Sequence, residues 1–187
     1  MQQEKVELRK SMRASLKALS TSDRLEKSLI ISRLIRDCGF LPGCLGVYSP
    51  LEHEVDWSLS FSNEEFLYVN FLDKNQIGFF PSLKTNLKEI VWNTKTFKVP
   101  DVTKRQEVVP QILLVPGLAM SKIGQRLGRG GGFYDRYLEN FIGLKIGLTF
   151  DCCLLETLPE EDQDQLMDWV VTESGIIKIR RKEWPCK

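Results

Sequence analysis

Residues 115–138 read Val115-Pro116-Gly117-Leu118-Ala119-Met120-Ser121-Lys122-Ile123-Gly124-Gln125-Arg126-Leu127-Gly128-Arg129-Gly130-Gly131-Gly132-Phe133-Tyr134-Asp135-Arg136-Tyr137-Leu138. Four glycines and two arginines fall within the seven residues from Arg126 to Gly132. Glycine lets the backbone take positive φ and approach a ligand closely, so successive N–H groups there can converge on an anion at a helix start. Upstream, Gln111 leads into Ile112-Leu113-Leu114-Val115, an apolar run of the kind buried inside a parallel sheet. Downstream, Tyr134, Tyr137, Leu138, Phe141 and Ile142 recur at helical spacing. Strand, glycine loop and helix together predict an ordered ligand-binding junction.

The segment matches neither common nucleotide fingerprint. A P-loop needs Lys followed by Ser or Thr after its last glycine, where Phe133 and Tyr134 stand; a dinucleotide motif needs an early strand and an acidic residue about 20 positions on. Two plainer readings stay open from spacing alone: a tight turn that simply requires glycine, and an Arg-Gly segment that contacts RNA loosely.

Outward from this loop, Leu8, Met12, Leu16 and Leu19 recur every four residues, and Ile30, Ile31, Leu34 and Ile35 less strictly. Two N-terminal helices follow, separated near Ser20, with Ser20 and Asp23 as capping residues for the second. Gly39, Pro42 and Gly43 end it. Strand patterns come at Cys44–Tyr48, Phe66–Phe71, Ile77–Phe80, Ile90–Trp92, Ile112–Val115, Leu144–Phe150, Trp169–Thr172 and Ile176–Ile179, with a charged loop from Lys95 to Glu107. Apolar strands alternating with helices predict a single α/β domain over residues 1–187, its mostly parallel sheet covered on both faces. Ligands in such sheets gather beyond the carboxyl ends of the strands.

Composition narrows the function. At 187 residues, with 42% hydrophobic and 27% charged residues, the chain suits one soluble globular domain. A net charge of +1 offers no broad field for nucleic acid, so anion binding must be local. No apolar run approaches a membrane span and no signal-peptide pattern occurs, which predicts a cytoplasmic protein with no membrane partner. Five cysteines in no metal-ligand or paired spacing read as reduced thiols, and a single histidine, His53, makes a His-based zinc centre or Ser-His-Asp triad improbable.

Other polar residues are individually ambiguous. Lys5 and Arg9 lie one helical turn apart, in line with Arg13, as phosphate ligands or simply a solvated face. Asp135, in the first turn after the loop, suits a metal beside bound phosphates or an ordinary helix-start acid. Glu52, Glu54 and Asp56 follow the first strand, and Tyr48, Phe133 and Tyr134 offer rings for stacking or for the core. The acidic run at 160–164 does not single out any one carboxylate.

Taken together, the chain resembles the 5-formyltetrahydrofolate cyclo-ligase family, also called methenyltetrahydrofolate synthetases. The similar stretches are Lys5-Val6-Glu7-Leu8-Arg9, Glu54-Val55-Asp56, Val115-Pro116-Gly117-Leu118-Ala119, Gly124 through Arg136, and finally Asp164, Asp168 and Val170-Val171-Thr172-Glu173. The resemblance implies a three-layer α/β/α fold and an ATP- and Mg2+-dependent ring closure of 5-formyltetrahydrofolate to 5,10-methenyltetrahydrofolate, through a phosphorylated formyl group. Positioning and charge neutralisation carry most phosphoryl-transfer catalysis, so a site of glycines, arginines, a lysine and a metal suffices.

By position, the resemblance implies ATP ligands at Lys5, Arg9, Arg126, Leu127, Gly128, Arg129, Gly130, Gly131, Gly132, Phe133 and Tyr134. Arg126, Arg129 and Tyr134 would be catalytic. Ser49, Glu54, Arg129, Gly130, Gly131, Gly132 and Phe133 would line the folate, and Asp135 and Asp164 would hold magnesium. The partner is a small-molecule folate, with or without a polyglutamate tail; the expected protein is a monomer that uses no nucleic acid. Four positions depart from the family pattern: Met120-Ser121 in place of Phe-Asp, Gln163 in place of a histidine, and Phe133 in place of a frequent tyrosine. An RNA-binding module and a different ATP-using transferase are the competing readings.

Overall fold

The N-terminal periodicity becomes two helices, α1 (Gln2–Ala18) and α2 (Thr21–Asp37). The computed structural model describes residues 2–92, 95–159, 161 and 164–179. Ser20 caps α2 as predicted: its backbone is extended and its Oγ accepts the Asp23 N–H at 3.0 Å, filling a donor the first turn would leave open. On α1, Met12 and Leu16 are buried, and on α2, Ile31 and Ile35. Two serines on the buried face of α2 also organise a loop: Ser28 accepts from the Asp56 N–H, and Ser32 binds Trp57 and Ser60.

The strands are β1 (Leu45–Val47), β2 (Glu65–Phe71), β3 (Ile77–Leu83), β4 (Lys88–Trp92), β5 (Lys95–Val99), β6 (Ile112–Pro116), β7 (Ala119–Ser121), β8 (Arg126–Leu127), β9 (Leu144–Leu148), β10 (Leu154–Leu155), β11 (Trp169–Thr172) and β12 (Gly175–Lys178). The large sheet runs β12-β11-β9-β6-β1-β2-β3. Its β11-β9-β6-β1-β2 centre is parallel, and the edges β3 and β12 are antiparallel. The mixed α/β class with a mostly parallel sheet therefore agrees with the expectation.

Period-2 alternation divides the core between the faces of this sheet. Ile112 and Leu114 of β6 share a cluster with Leu45, Val47, Ile146 and the buried residues of α1 and α2. Leu113 and Val115 share another with Leu67, Phe79, Val170 and Leu138 of α3 (Phe133–Glu139). Each such aliphatic side chain, fully buried, contributes about 1.5–3 kcal/mol. The β6 run is buried on both sides, which is why it shows no alternation in sequence.

Three local expectations are corrected. The charged stretch starting at Lys95 opens not as loop but as β5, paired antiparallel with β4 so that Ile90 faces Phe97 and Trp92 faces Lys95. Exposed Lys95, Thr96 and Lys98 hid the strand, because one face of this hairpin is solvated. β6 does not lead directly into the glycine loop: a hairpin of β7 and β8 intervenes, with β10 alongside β7. The helix after the loop ends at Glu139 rather than Ile142, because the Leu144 N–H bonds the Gln111 carbonyl at 3.0 Å as the chain re-enters the sheet; Ile142 is 91% exposed.

Candidate functional site

From β1 the chain proceeds to β2 and β3 on one side of the sheet, and from β6 to β9 and β11 on the other. The carboxyl ends of β1 and β6 thus flank the point where strand order reverses, the standard place for a ligand crevice in an open α/β sheet. Tyr48 and Ser49 follow β1 there, and Pro116 and Gly117 end β6; all four line a cavity of about 240 Å3.

The glycine loop forms a wall of this cavity. Pairing of Ala119 with Leu127 and of Met120 with Arg126 fixes its start, and Leu127, 2% exposed, anchors it in the core. Gly130 (φ 99°) and Gly132 (φ 67°) take left-handed backbone that other residues resist, and Gly132 caps α3. Four arginines clamp the loop. Arg126 Nη1 donates to the Pro116 carbonyl at 3.1 Å, Arg9 Nε to Gly128 at 3.0 Å, Arg136 Nη2 to Gly131 at 3.1 Å, and Arg129 Nε to Glu54 Oε1 at 2.7 Å. The Arg126 guanidinium also pairs with Asp135 and lies 5.7 Å from the centre of the Tyr134 ring.

Two cavities meet at this loop. The first is largely apolar, with Val69, Phe71, Trp92, Phe97 and Phe133 around Ser49, Glu54, Arg129 and Tyr134. Phe71 stacks on Trp92 with the rings 2° from parallel and 5.0 Å apart, and meets Phe133 edge-on. The second, about 460 Å3, is polar and lined by Lys5, Arg9, Asp135 and Asp164. Arg126, Gly128, Gly132 and Asp135 line both. One chamber suits a planar heterocycle, and the other sets Lys5, Arg9, Arg126 and Arg136 beside as many carboxylates, with the glycine loop between the two.

Every residue to which the resemblance assigns a site role thus falls at one or both cavities, whereas Arg13, Glu52 and Asp56 line neither, and burial alters how several of them read. Lys5 is not on a solvated face: it is 5% exposed, with Nζ 2.6 Å from Asp164 and 3.2 Å from Glu161. The Tyr134 hydroxyl is buried with no hydrogen-bond partner among the described residues. Burial, reinforced by the charge of Glu54, pushes its pKa well above the usual tyrosine value, so it is neutral and can donate. Tyr48 has spent its hydroxyl on the Val55 carbonyl at 2.8 Å, a core role. Asp56 is turned to Ser58. Residues 160, 162 and 163 of the acidic run, including Gln163, lie outside the described residues.

Among the described residues no group of three or more His, Cys, Asp or Glu side chains could enclose a metal. Asp135 and Asp164 are hard oxygen donors on one polar cavity, which fits Mg2+, an ion commonly held by one or two carboxylates plus phosphate oxygens and water. In this structure each carboxylate faces a cation instead, Asp135 with Arg126 and Asp164 with Lys5.

Sequence reasoning did not assign a site role to Trp92, Lys95 and Phe97 of the β4–β5 hairpin, or to Arg136. Alternation of half-buried Ile90, Trp92 and Phe97 with exposed neighbours was the available signal. It is weak, since the hairpin belongs to neither of the other sheets.

The family model described as the 5-formyltetrahydrofolate cyclo-ligase family matches residues 62–173. The mitochondrial 5-formyltetrahydrofolate cyclo-ligase of Arabidopsis thaliana is 26% identical over 208 residues, covering 92% of this chain and 75% of that protein. The 5-formyltetrahydrofolate cyclo-ligase of Escherichia coli K12 is 34% identical over 137 residues, 70% of this chain and 64% of that protein. The NMR structure of Aquifex aeolicus 5,10-methenyltetrahydrofolate synthetase superposes with a TM-score of 0.74 at 26% identity, over 98% of this chain and 96% of that one.

Proposed function

The chain belongs to the 5-formyltetrahydrofolate cyclo-ligase family, and on that premise we propose that it uses ATP to close 5-formyltetrahydrofolate to 5,10-methenyltetrahydrofolate, releasing ADP and phosphate. The observation that carries this reading is the pair of cavities joined at the glycine loop, one aromatic and one polar, the polar one bringing Lys5, Arg9 and Arg126 to the loop. A reaction that joins a triphosphate to a pteridine needs both chambers and a common wall.

In this reading the formyl oxygen attacks the γ-phosphorus, ADP leaves, nitrogen-10 attacks the activated carbon, and phosphate departs. Lys5, Arg9 and Arg126 neutralise the triphosphate, and the amides from Gly128 to Tyr134 hold it in line with the acceptor oxygen. Arg129, oriented by Glu54, faces the charge developing on the transferred group, and the Tyr134 hydroxyl donates to an oxygen of substrate or phosphate. Phe133 and Ser49 line the folate, and Glu54 recognises its polar edge. Asp135 and Asp164 would hold Mg2+, which supplies further charge neutralisation when bound.

The same reading takes the fold as one three-layer α/β/α domain, supported by the two core clusters on opposite strand faces. It describes a cytoplasmic monomer acting on a small molecule without nucleic acid or membrane. In support, the net charge is +1 and no described helix is long and apolar enough to cross a membrane. The test is spectrophotometric: the protein with Mg-ATP and 5-formyltetrahydrofolate should develop the methenyl chromophore, and controls lacking protein or ATP should not. No absorbance change above those controls rejects the assignment, and binding of ATP without folate favours a different ATP-using transferase.

A further inference from the structure

Cys152 and Cys153 line neither cavity of the site. They follow β9 in a single 3-10 turn, Asp151–Cys153. Their sulfurs are 3.9 Å apart, and their surroundings differ sharply. Cys152 is exposed, whereas Cys153 is fully buried in the core cluster with Met12 and Leu16 of α1, its Sγ 4.0 Å from the Met12 carbonyl. The turn is braced from the other side: Glu173 accepts the Asp151 N–H at 3.0 Å and pairs with Lys27 at 2.5 Å.

We propose that these residues form an oxidant-sensing dithiol whose bridging loosens α1. A hydroperoxide takes two electrons from the exposed Cys152 thiolate, giving a sulfenic acid; with one proton, the peroxide's other oxygen leaves as water or alcohol. The Cys153 thiol then attacks the Cys152 sulfur, its proton leaves with the hydroxyl as water, and a disulfide closes.

The two environments support this division of roles. The hydrogen bond from Cys153 lowers the Cys152 pKa to about 7, helped by Lys27 and opposed by burial and Glu173. The same hydrogen bond, with burial, raises that of Cys153. Cys38, by contrast, is pushed up by burial. A thiolate is the reacting species, so the exposed Cys152 should be attacked before the half-buried Cys38, severalfold faster even after the lower nucleophilicity of a weaker base is allowed for.

Bridging cannot leave the turn as it is. Adjacent Cα atoms are about 3.8 Å apart, below the usual disulfide span of roughly 4.4–6.8 Å, and the sulfurs must close to about 2.05 Å. A bridge so strained is readily reduced, which suits a reversible switch rather than a staple. Closing it draws Cys153 off the Met12 carbonyl and out of the cluster beneath α1. That helix carries Lys5 and Arg9.

The test is peptide mass spectrometry and amide hydrogen exchange on the intact protein under graded hydrogen peroxide. The expected result is loss of two hydrogens from the 152–153 peptide before Cys38 or Cys44 reacts, faster exchange in α1, and reversal of both by dithiothreitol. Cys153→Ser should instead accumulate a sulfenic acid that dimedone traps at Cys152. Cys152→Ser, at an exposed position, should abolish the early oxidation even if the Cys153 variant does not fold. Oxidation of Cys152 no faster than of Cys38 and Cys44, or direct passage to sulfinic acid in the unaltered protein, overturns the dithiol. A bridge that leaves exchange in α1 unchanged overturns the coupling. None of these readouts depends on the ligase activity proposed above.

Discussion

Arg129 and Glu54, 75 positions apart, meet through a 2.7 Å bond from Nε to Oε1, with the Glu54 side chain only 8% exposed. Glu54 also accepts the Leu51 N–H through its other oxygen at 3.0 Å, so one carboxylate fixes both its own loop and the glycine loop across the cavity. The Glu54→Gln variant keeps the shape and loses the charge. It should raise KM for 5-formyltetrahydrofolate about tenfold or more, and a double-mutant cycle with Arg129→Ala should show about 1–3 kcal/mol of coupling in urea unfolding. Coupling near zero would mean that the two side chains act independently.

Arg126 and Asp135 neutralise each other in this structure, whereas the proposed reaction requires both for other partners. Replacing Arg126 with Ala should remove about 1.5–3 kcal/mol of charge-assisted bonding to the triphosphate, seen as a higher KM for ATP. Asp135→Asn frees Arg126 and deletes a proposed metal ligand. Calorimetry should therefore find tighter binding of ATP in EDTA, together with a weaker gain on adding Mg2+. Normal magnesium dependence would exclude Asp135 as a ligand.

The Tyr134 hydroxyl has no hydrogen-bond partner among the described residues, although it is buried. Tyr134→Phe should therefore leave stability within about 0.5 kcal/mol or raise it, because no bond is lost and a polar group leaves the interior. If the hydroxyl meets substrate, kcat/KM falls about tenfold in the same variant. A parallel loss of stability and activity would reassign it to the fold.

Gly132 and Gly130 separate backbone strain from crowding. A Cβ at Gly132 would lie 2.5 Å from Arg136 Nη1, whereas at Gly130 its nearest neighbour is 3.9 Å away, in Arg9. Both have positive φ, so Ala at either should cost about 1–2 kcal/mol of strain. Gly132→Ala should cost more, because Arg136 must release the Gly131 carbonyl. Thermal melts check the order, which equal shifts would contradict.

Lys27 links stability to alkaline pH. Its hydrogen bond to Glu173, opposed by burial, raises its pKa above the ordinary 10.5. The native state therefore holds this proton more tightly than the unfolded chain does. The stabilisation is complete below pH 10.5 and is lost as pH rises through the higher native value. Lys27→Met should cost about 1 kcal/mol at neutral pH, with the difference shrinking in urea titrations above pH 10.5. A constant difference across that range would assign the effect to packing.

Much of the fold was legible because its signals are local. The Ser20 cap, the doubly buried β6 run and the glycines before α3 each reflect constraints within a few residues of chain. The β4–β5 hairpin was only half legible: Trp92 and Phe97 gain their meaning from Phe71 on β2, more than 20 positions away. Spacing left Lys5 open between a phosphate ligand and a solvated face for the same reason, since Asp164, which pairs with it, lies 159 positions along.

Residue order by itself determined the helices, most strands and the glycine- and arginine-rich loop at 126–132, through side-chain periodicity and the backbone freedom of glycine. Only tertiary structure decided which charges meet. Strand order brings the ends of β1 and β6 together, draws Arg9 onto Gly128 and Arg129 onto Glu54, and sets an aromatic chamber beside a polar one. Ion pairs depend on distance in space, and along the chain that distance carries no signature until the sheet has closed.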